Sequence, residues 1–194
     1  MTRIADHPIE QLFLDRWSPR ALDAMEIPDK HLNTIFEAAR WAPSSFNAQP
    51  WRFLYAKRES ADFERFLGLL MPMNAAWANR ASVLIFIVSD SLIAMKPGAD
   101  PGPSHTHSFD AGAAWALMAL EATKLGYAAH GMAGVEWVQA QAELGVPERF
   151  RIDAAVAIGR KDDPSVLPEP LRAREFPSGR RPIGESAYAG NFPI

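Results

Sequence analysis

The sequence predicts a sandwich of helices and strands, of the α/β or α+β class, formed as one domain. Three features support this prediction. The chain has 194 residues, an ordinary length for a single domain. Residues 83–88 form a continuous apolar run, as in a strand covered on both faces. Residues 111–120 carry no charge, and their small and large apolar side chains are typical of a buried helix.

The composition excludes several classes of function. A net charge of −3 and a pI near 6.0 argue against a nucleic-acid binder. The chain has no cysteine, which excludes disulfides, iron–sulfur clusters, thiolate zinc sites and cysteine nucleophiles, and fits a reducing cytoplasm. The N-terminal residues lack an apolar signal core, and no run reaches the roughly 18 apolar residues of a membrane span. We therefore expect a cytoplasmic protein without a membrane segment.

The first candidate motif follows a short helix or turn over residues 9–14. It is Arg16-Trp17-Ser18-Pro19-Arg20, in which the proline favours extended backbone at Ser18. Side chains two residues apart then point to the same side, so Arg16, Ser18 and Arg20 can hold an anion together. A solvated basic turn would have the same sequence, and the motif alone does not distinguish the two.

The next element is a helix that starts at Pro28 and Asp29, which suit a first turn, and is ended by Pro43. Its apolar side chains recur at helical spacing on one face, at Leu32, Ile35, Phe36 and Ala39. Further along, we predict a strand over residues 51–57, a helix over 61–70, a short helical segment over 74–80 and a strand over 83–88.

A polar loop, residues 41–51, separates that helix from the first strand. Two prolines restrict its backbone, and between them lie the polar residues Ser44, Ser45, Asn47 and Gln49. Such a loop suits contact with a planar, hydrogen-bonding ring better than a surface turn, which would use Gly and Asp. A plain connector from helix to strand is an equally good interpretation at this point.

A loop over residues 96–108 is rich in Pro, Gly and His and is long enough to act as a lid. It contains His105 and His107, and Asp110 follows. A metal site is conceivable from these side chains, but no third histidine lies close. Histidines that face solvent or substrate are the interpretation that we favour, and we predict no metal.

A helix follows over residues 109–125, with Ser108 as its predicted cap and Gly126 at its end. Its uncharged stretch over residues 111–120 is apolar on all sides. A helix of this kind is buried on all sides, which in a chain of this size implies cover by a second subunit.

The remaining chain predicts a strand over residues 127–132, a helix over 138–144 and a strand over 152–159. After Arg160 the sequence is rich in proline and arginine and cannot form a core alone. This tail is either disordered or an extended arm over the body or a partner chain. Arg180 and Arg181 within it could hold an anion, although a solvated basic turn is the alternative.

Taken in order, these motifs resemble the FMN-dependent nitroreductase family. The resemblance rests on the residues 16–20 and 42–51, on Asn74 before an apolar strand, on residues 110–112 and 131–136, and on residues 180–182. It covers almost the whole chain. It implies an α+β fold with a mixed sheet flanked by helices, and an intertwined homodimer with a C-terminal arm over about residues 160–194.

The resemblance also implies two FMN molecules at the subunit interface. The phosphate would be held by Arg16, Ser18 and one or both of Arg180 and Arg181, with Trp17 beside them. Arg20 would lie near the N1–C2 edge of the flavin and Asn74 near its pyrimidine edge. The face near N5 would be lined by Met132, Ala133 and Gly134, and the partner would contribute Pro43, Ser44, Ser45 and Asn47.

The activity implied is a ping-pong transfer in which NAD(P)H reduces the flavin, and a nitroaromatic, quinone or activated carbonyl or alkene acceptor reoxidises it. No catalytic side chain is then needed, because the cofactor carries the chemistry. Candidate residues facing the substrate are Phe46, Trp77, His105 and His107, for which ordinary packing or exposure is the alternative.

Two departures from the family pattern leave other functions open. Some members have a lysine where this chain has Trp77, and others have a glutamate within the segment 131–134. One alternative is therefore a protein that stores or senses FMN with little turnover. Another is a dimeric module that binds a different phosphorylated ligand through Arg16 and Arg181.

Overall fold

The computed structural model describes residues 3–96 and 98–193. Its main sheet has four strands, which are β1 Trp51–Lys57, β2 Val83–Asp90, β5 Ala128–Met132 and β6 Phe150–Gly159. Their order across the sheet is β1-β2-β6-β5. A separate two-stranded hairpin is formed by β3 Leu92–Ile93 and β4 Gly102–Pro103.

Seven helices connect or cover these strands in the described residues. They are α1 Gln11–Asp15, α2 Asp29–Arg40, α3 Phe63–Gly68, α4 Pro72–Ala78, α5 His107–Lys124, α6 Trp137–Glu143 and α7 Glu169–Arg172. Single 3-10 turns lie at Ser45–Asn47, Pro164–Val166 and Ile183–Glu185.

The α+β class is confirmed, but the described strand pairs are all antiparallel, so our expectation of a mixed sheet was wrong. The reason is visible between β1 and β2. Lys57 at the end of β1 pairs with Val83 at the start of β2. The chain leaves the sheet after β1, forms α3 and α4, and enters the sheet again at the same end. Strands joined in this way run in opposite directions.

The sheet separates two apolar cores. On one face, α3, α4 and α6 cover the sheet, with Trp77 and Phe86 among the fully buried side chains. On the other face, α2 and α5 pack on the sheet around Ile35, Met118 and Ile85. Every residue of β2 is buried, which confirms the interpretation of its apolar run as a strand covered on both faces.

The start of α5 differs from the prediction. The helix begins at His107 with Thr106 as the preceding residue, so Ser108 lies within the first turn and is not the cap. The Ser108 hydroxyl instead donates a hydrogen bond to Asp153 Oδ1 at 2.6 Å. The predicted loop of residues 96–108 is also partly paired, since Gly102–Pro103 forms β4, and its Pro97 lies outside the described residues.

Only part of α5 is covered within one chain. Ala111, Ala114 and Met118 are buried against the sheet and α2. By contrast, Gly112 and Ala116 are exposed, and the Phe109 side chain is 80% exposed. The helix therefore presents an uncharged apolar face to its surroundings, as the sequence predicts for a helix that a partner covers.

The segment that follows β6 contains short turns, and most of its residues are exposed. Hydrogen bonds between carboxylates and backbone N–H groups connect this segment to the N-terminal region. The Glu175 carboxylate accepts hydrogen bonds from the backbone N–H groups of Arg20 and Ala21, at 2.6 and 2.8 Å. Further along, Asp6 accepts a hydrogen bond from the Ile183 backbone N–H at 2.8 Å. The two ends of the chain thus lie side by side.

A search of the described residues finds no helix with the length and apolar character that crossing a membrane requires.

Candidate functional site

The two ends of the chain enclose a cavity of about 410 Å³ that is lined by arginines. We call it the arginine cavity. Five arginines, two serines, two aromatic rings and one histidine form its wall: Arg3, Arg16, Arg20, Arg174, Arg180, Ser18, Ser178, Trp17, Phe176 and His130. This set of described lining residues includes no carboxylate.

The positive charge of the arginine cavity is only partly neutralised within the chain, by Glu175, whose carboxylate lies 3.8 Å from the Arg20 guanidinium. Burial lowers the pKa of the Arg16 guanidinium, and the charges of Arg3 and Arg180 lower it further. Burial and the charge of Arg180 also lower the pKa of Arg3. Repulsion among cations of this kind is relieved when an anion binds between them. The cavity therefore has the electrostatics of a phosphate site.

Local backbone geometry explains how the N-terminal part of this wall forms. Arg16 has extended backbone, with φ −67° and ψ 116°, directly after α1. Its guanidinium donates a hydrogen bond to the Ser18 hydroxyl at 3.3 Å. Arg3 donates hydrogen bonds to the carbonyl oxygens of Leu14 and Arg16 at 2.9 and 2.6 Å, which fixes the end of α1. Arg16, Ser18 and Arg20 line one cavity, as the extended segment predicts.

A second cavity, of about 280 Å³, adjoins the first because both are lined by His130. We call it the glycine cavity. Its remaining lining residues come from the start of α4 and from the end of β5 with the turn that follows: Met71, Met73, Asn74, Gly131, Met132, Ala133 and Gly134.

Two hydrogen bonds to one carbonyl connect the two segments of the chain that line the glycine cavity. The Gly134 carbonyl accepts hydrogen bonds from the Met71 backbone N–H at 3.0 Å and from Asn74 Nδ2 at 3.1 Å. A Cβ atom at position 134 would lie 2.5 Å from Asn74 Nδ2, so a larger residue here would displace the Asn74 side chain. A Cβ at Gly131 would similarly lie 3.2 Å from the Trp115 ring. At both glycines the backbone is therefore packed closely against a neighbouring side chain, which fixes this wall of the cavity.

The polar loop has an unusual backbone. Phe46, Asn47 and Gln49 have positive φ values of 51°, 55° and 49°. Such conformations cost energy in residues other than glycine and are frequent at functional sites. The loop is held by the buried Asp110 carboxylate, which accepts a hydrogen bond from the Ser45 backbone N–H at 3.2 Å. The Ser44 hydroxyl accepts another from the Gln49 N–H at 3.0 Å.

The loop lies at the start of α5, and its residues, including the predicted Pro43, line neither the arginine cavity nor the glycine cavity. Its Phe46 side chain is 68% exposed. The structure therefore does not bring the loop to the cleft of its own chain. This placement agrees with the prediction that these residues reach the site of a partner, which stays a prediction.

The structure distinguishes the two C-terminal arginines. Arg180 lines the arginine cavity, whereas the Arg181 side chain is 83% exposed and its nearest carboxylate, Glu185, is 4.0 Å away. Of the candidate pair, Arg180 is the one that the fold places with Arg16.

One of the predicted substrate-facing residues lies in the core, and the others lie near the start of α5. Trp77 is 1% exposed, and its ring packs on His130 with 4.5 Å between the ring centroids, so ordinary core packing accounts for it. His105 is exposed. His107 is half-buried with Nδ1 2.7 Å from the Ser89 hydroxyl oxygen. Within residues 3–96 and 98–193, no cluster of three or more possible ligands could hold a metal ion.

Arg3, Arg174 and His130 are among the cleft residues that were missed from the sequence. The arginines stand alone in the sequence, without a spacing that marks them. His130 directly precedes the segment 131–134 that was predicted to line the site, and its position on the strand could have identified it.

An α+β sandwich with an arginine-lined cleft beside a second, smaller cavity is the class of protein that the fold and the site define. Comparison with known proteins makes this class more specific. A sequence profile of the nitroreductase family matches residues 14–72. A solved structure described as an oxidoreductase containing FMN is 48% identical, with a TM-score of 0.95, and the alignment covers 98% of this chain and 96% of that one.

Two curated relatives are similar in sequence to most of this chain. A 15.4 kDa protein of Mycolicibacterium smegmatis is 33% identical over 150 residues, which is 73% of this chain and 97% of the relative. A protein of Polynucleobacter asymbioticus proposed to be an NADH dehydrogenase or NAD(P)H nitroreductase is 24% identical, across 86% of this chain and 92% of its own length. The chain belongs to the nitroreductase family.

Proposed function

We propose that the chain binds FMN in this cleft and acts as an NAD(P)H-dependent oxidoreductase. The observation that carries the proposal is the junction of the two cavities. A pocket lined by five arginines adjoins a cavity lined by Asn74 and the segment 131–134, and the two share His130. This arrangement matches a ligand with a phosphate at one end and a planar ring at the other. The description of the 48% identical structure as containing FMN supports the same ligand.

The residues of the arginine cavity fit a phosphate monoester. Such a group carries close to two negative charges at neutral pH and accepts several hydrogen bonds. Arg16, Arg180 and the Ser18 hydroxyl would hold it, and Arg3 and Arg174 would add positive charge. Arg20, on the same wall, would extend the positive charge toward the N1–C2 edge of the ring.

The residues of the glycine cavity fit a flavin ring. Asn74 Nδ2 donates to the Gly134 carbonyl, so the side-chain oxygen would be free to accept a hydrogen bond from the pyrimidine edge of the ring. Met132, Ala133 and Gly134 would contact the ring face and supply backbone groups near N5. Bound FMN supplies the redox chemistry, taking a hydride from NAD(P)H and passing electrons to the acceptor. The protein positions the ring and shapes the space beside it.

We also propose a homodimer in which each copy completes the cleft of the other. The exposed apolar face of α5 needs cover, and the polar loop lies next to the start of α5 without lining its own cleft. Pro43, Ser44, Ser45 and Asn47 would then contact the FMN of the partner, and Phe46 would face the acceptor. The strained backbone of the loop fits such a role.

The acceptors that we propose are nitroaromatics, quinones and activated carbonyls or alkenes, and the donor is NADH or NADPH. The name of the Polynucleobacter relative supports a nicotinamide donor. His105 and His107, at the junction of the β3–β4 hairpin and α5, stay the proposed contacts for the acceptor.

The test is a spectrum of the purified protein, with FMN added if needed, before and after NADH or NADPH is added without air. We expect a yellow protein that bleaches within seconds and regains its colour when a quinone is added. A protein that takes up no FMN would contradict the proposal. A yellow protein that NAD(P)H does not bleach would favour storage or sensing of FMN, for which Trp77 and the missing glutamate in the segment 131–134 are the motivating features.

A further inference from the structure

His130 lines both the arginine cavity and the glycine cavity. Because side chains alternate along a strand, it faces the same side of β5 as Met132, toward the core that contains Trp77. The Trp77 ring contacts it with a centroid distance of 4.5 Å and an angle of 40°. The imidazole is thus held in place from one side, and its other edge borders the cleft.

The hydrogen bonds of His130 define the roles of its two nitrogens. Nδ1 lies 3.0 Å from the Pro19 carbonyl oxygen. A carbonyl oxygen only accepts, so Nδ1 is the nitrogen that carries the proton. In the neutral ring Nε2 is then an acceptor, and no partner for it is found among the described residues.

The surroundings keep the ring neutral. Burial lowers the pKa of His130, and the charge of Arg20 lowers it further, although the Pro19 carbonyl, Glu175 and the Ser18 carbonyl act in the opposite direction. The arginines of the cleft can only donate hydrogen bonds. In the described residues none of them donates to Nε2, which leaves this acceptor open to a hydroxyl donor of a ligand or to water.

We propose that His130 binds FMN directly, with Nε2 accepting a hydrogen bond from a hydroxyl of the ribityl chain. This inference rests on the proposed function, because it requires FMN in the cleft. The ribityl chain joins the phosphate to the ring and carries hydroxyl donors, so it passes the junction of the two cavities. His130 therefore ties the cofactor to the segment of Arg16 and Arg20 through the Pro19 carbonyl.

The experiment compares two variants and three ligands by quenching of flavin fluorescence. His130→Asn keeps an N–H near the position of Nδ1 and removes the acceptor at Nε2. His130→Gln places a carbonyl oxygen near Nε2 and gives up the donor to Pro19. FMN and riboflavin carry the ribityl chain, and lumiflavin lacks it.

We expect His130→Asn to weaken binding of FMN and of riboflavin about threefold to tenfold, the effect of one hydrogen bond, and to leave lumiflavin unchanged. His130→Gln is expected to recover most of that loss. Equal weakening for lumiflavin, no weakening for any ligand, or equal loss in both variants would overturn the inference.

A measurement on the unaltered protein is independent of how the variants fold. The ¹⁵N resonance of His130 Nε2 is expected to move upfield when riboflavin is added and to stay in place with lumiflavin. If the protein binds riboflavin and the Nε2 resonance does not move, the inference about His130 is overturned and the proposed function is not affected. A wild-type protein that binds none of the three flavins contradicts the proposed function itself.

Discussion

At the scale of single residues, Arg180 and Arg181 are adjacent in sequence but differ in surroundings. Arg180 faces Arg16 across the arginine cavity, and its charge lowers the pKa of Arg16. Arg181 points into solvent near Glu185. The chain therefore supplies its own matched control for the role of charge in the cleft.

We predict that Arg180→Ala weakens FMN binding about tenfold to a hundredfold, because a hydrogen bond to a charged group contributes about 1.5–3 kcal/mol. Arg181→Ala removes the same charge at the surface and is expected to change the affinity by no more than about twofold, since exposed charges are screened. Fluorescence titration of both variants at one salt concentration measures the difference. A larger loss of FMN affinity in Arg181→Ala than in Arg180→Ala would assign the contact with the phosphate to Arg181 instead.

The sequence predicts the local part of this site and misses its distant parts. Arg16, Ser18 and Arg20 were found because alternate residues of an extended segment share one side. Arg3 and Arg174 reach the same cavity from the two ends of the chain, which no local spacing reveals. Trp77 was one of the candidate residues facing the substrate, with ordinary packing as the alternative. Its burial depends on how α4 packs, which only the fold determines.

At the scale of elements, an ion pair joins β2 to the loop that leads into β6. Asp90, the last residue of β2, accepts a hydrogen bond from Arg149 Nε at 2.7 Å. Burial raises the pKa of Asp90, but the hydrogen bonds from Arg149 and from the Leu92 N–H outweigh it, and the net pKa lies below the ordinary 3.8. A carboxyl whose pKa falls on folding stabilises the fold above its unfolded pKa.

We predict that this stabilisation is present at neutral pH and is lost as the pH falls below 3.8 through the folded pKa of Asp90. Asp90→Asn has no such titration. Urea unfolding of both proteins between about pH 6 and pH 3 should show wild type losing stability more steeply with acid than the variant. Parallel losses in the two proteins would show that the pair is not coupled to folding.

Most elements could be predicted from periodicity and breakers, and the exceptions have structural causes. The strand Trp51–Lys57 has the predicted bounds. Ser108 fails as a cap because Asp153, on a strand distant in sequence, accepts its hydroxyl. The positive φ values of Phe46 and Gln49 were not foreseen, since those residue types carry no local signal for them and Asp110 holds the loop from outside. The positive φ of Asn47 is less unusual, because asparagine adopts the left-handed region more readily than most residues.

At the scale of the whole molecule, the account depends on a second copy of the chain. The exposed face of α5, centred on Ala116, is uncharged and lies next to the polar loop. Exposed apolar side chains in the C-terminal segment, at Phe176, Ile183, Tyr188 and Phe192, are further candidates for contact with a partner. Large apolar patches of this kind mark interaction surfaces.

We predict that Ala116→Glu disrupts the dimer and weakens FMN binding together, because it places an unpaired charge in an apolar interface. Lys124→Glu, at the exposed end of the same helix, is the matched control and is expected to stay dimeric. Light scattering gives the mass, and flavin fluorescence gives the affinity. A monomeric Ala116→Glu protein that binds FMN as tightly as wild type would show that FMN binding does not require the dimer. That result would contradict a cleft that the partner completes.

The most direct test of the central claim is sedimentation of the purified protein with FMN, followed at both protein and flavin wavelengths. The account predicts one species with twice the chain mass of 21.4 kDa, carrying one flavin per chain. Flavin that sediments with a species of single-chain mass, or a dimer that sediments without flavin, would contradict it.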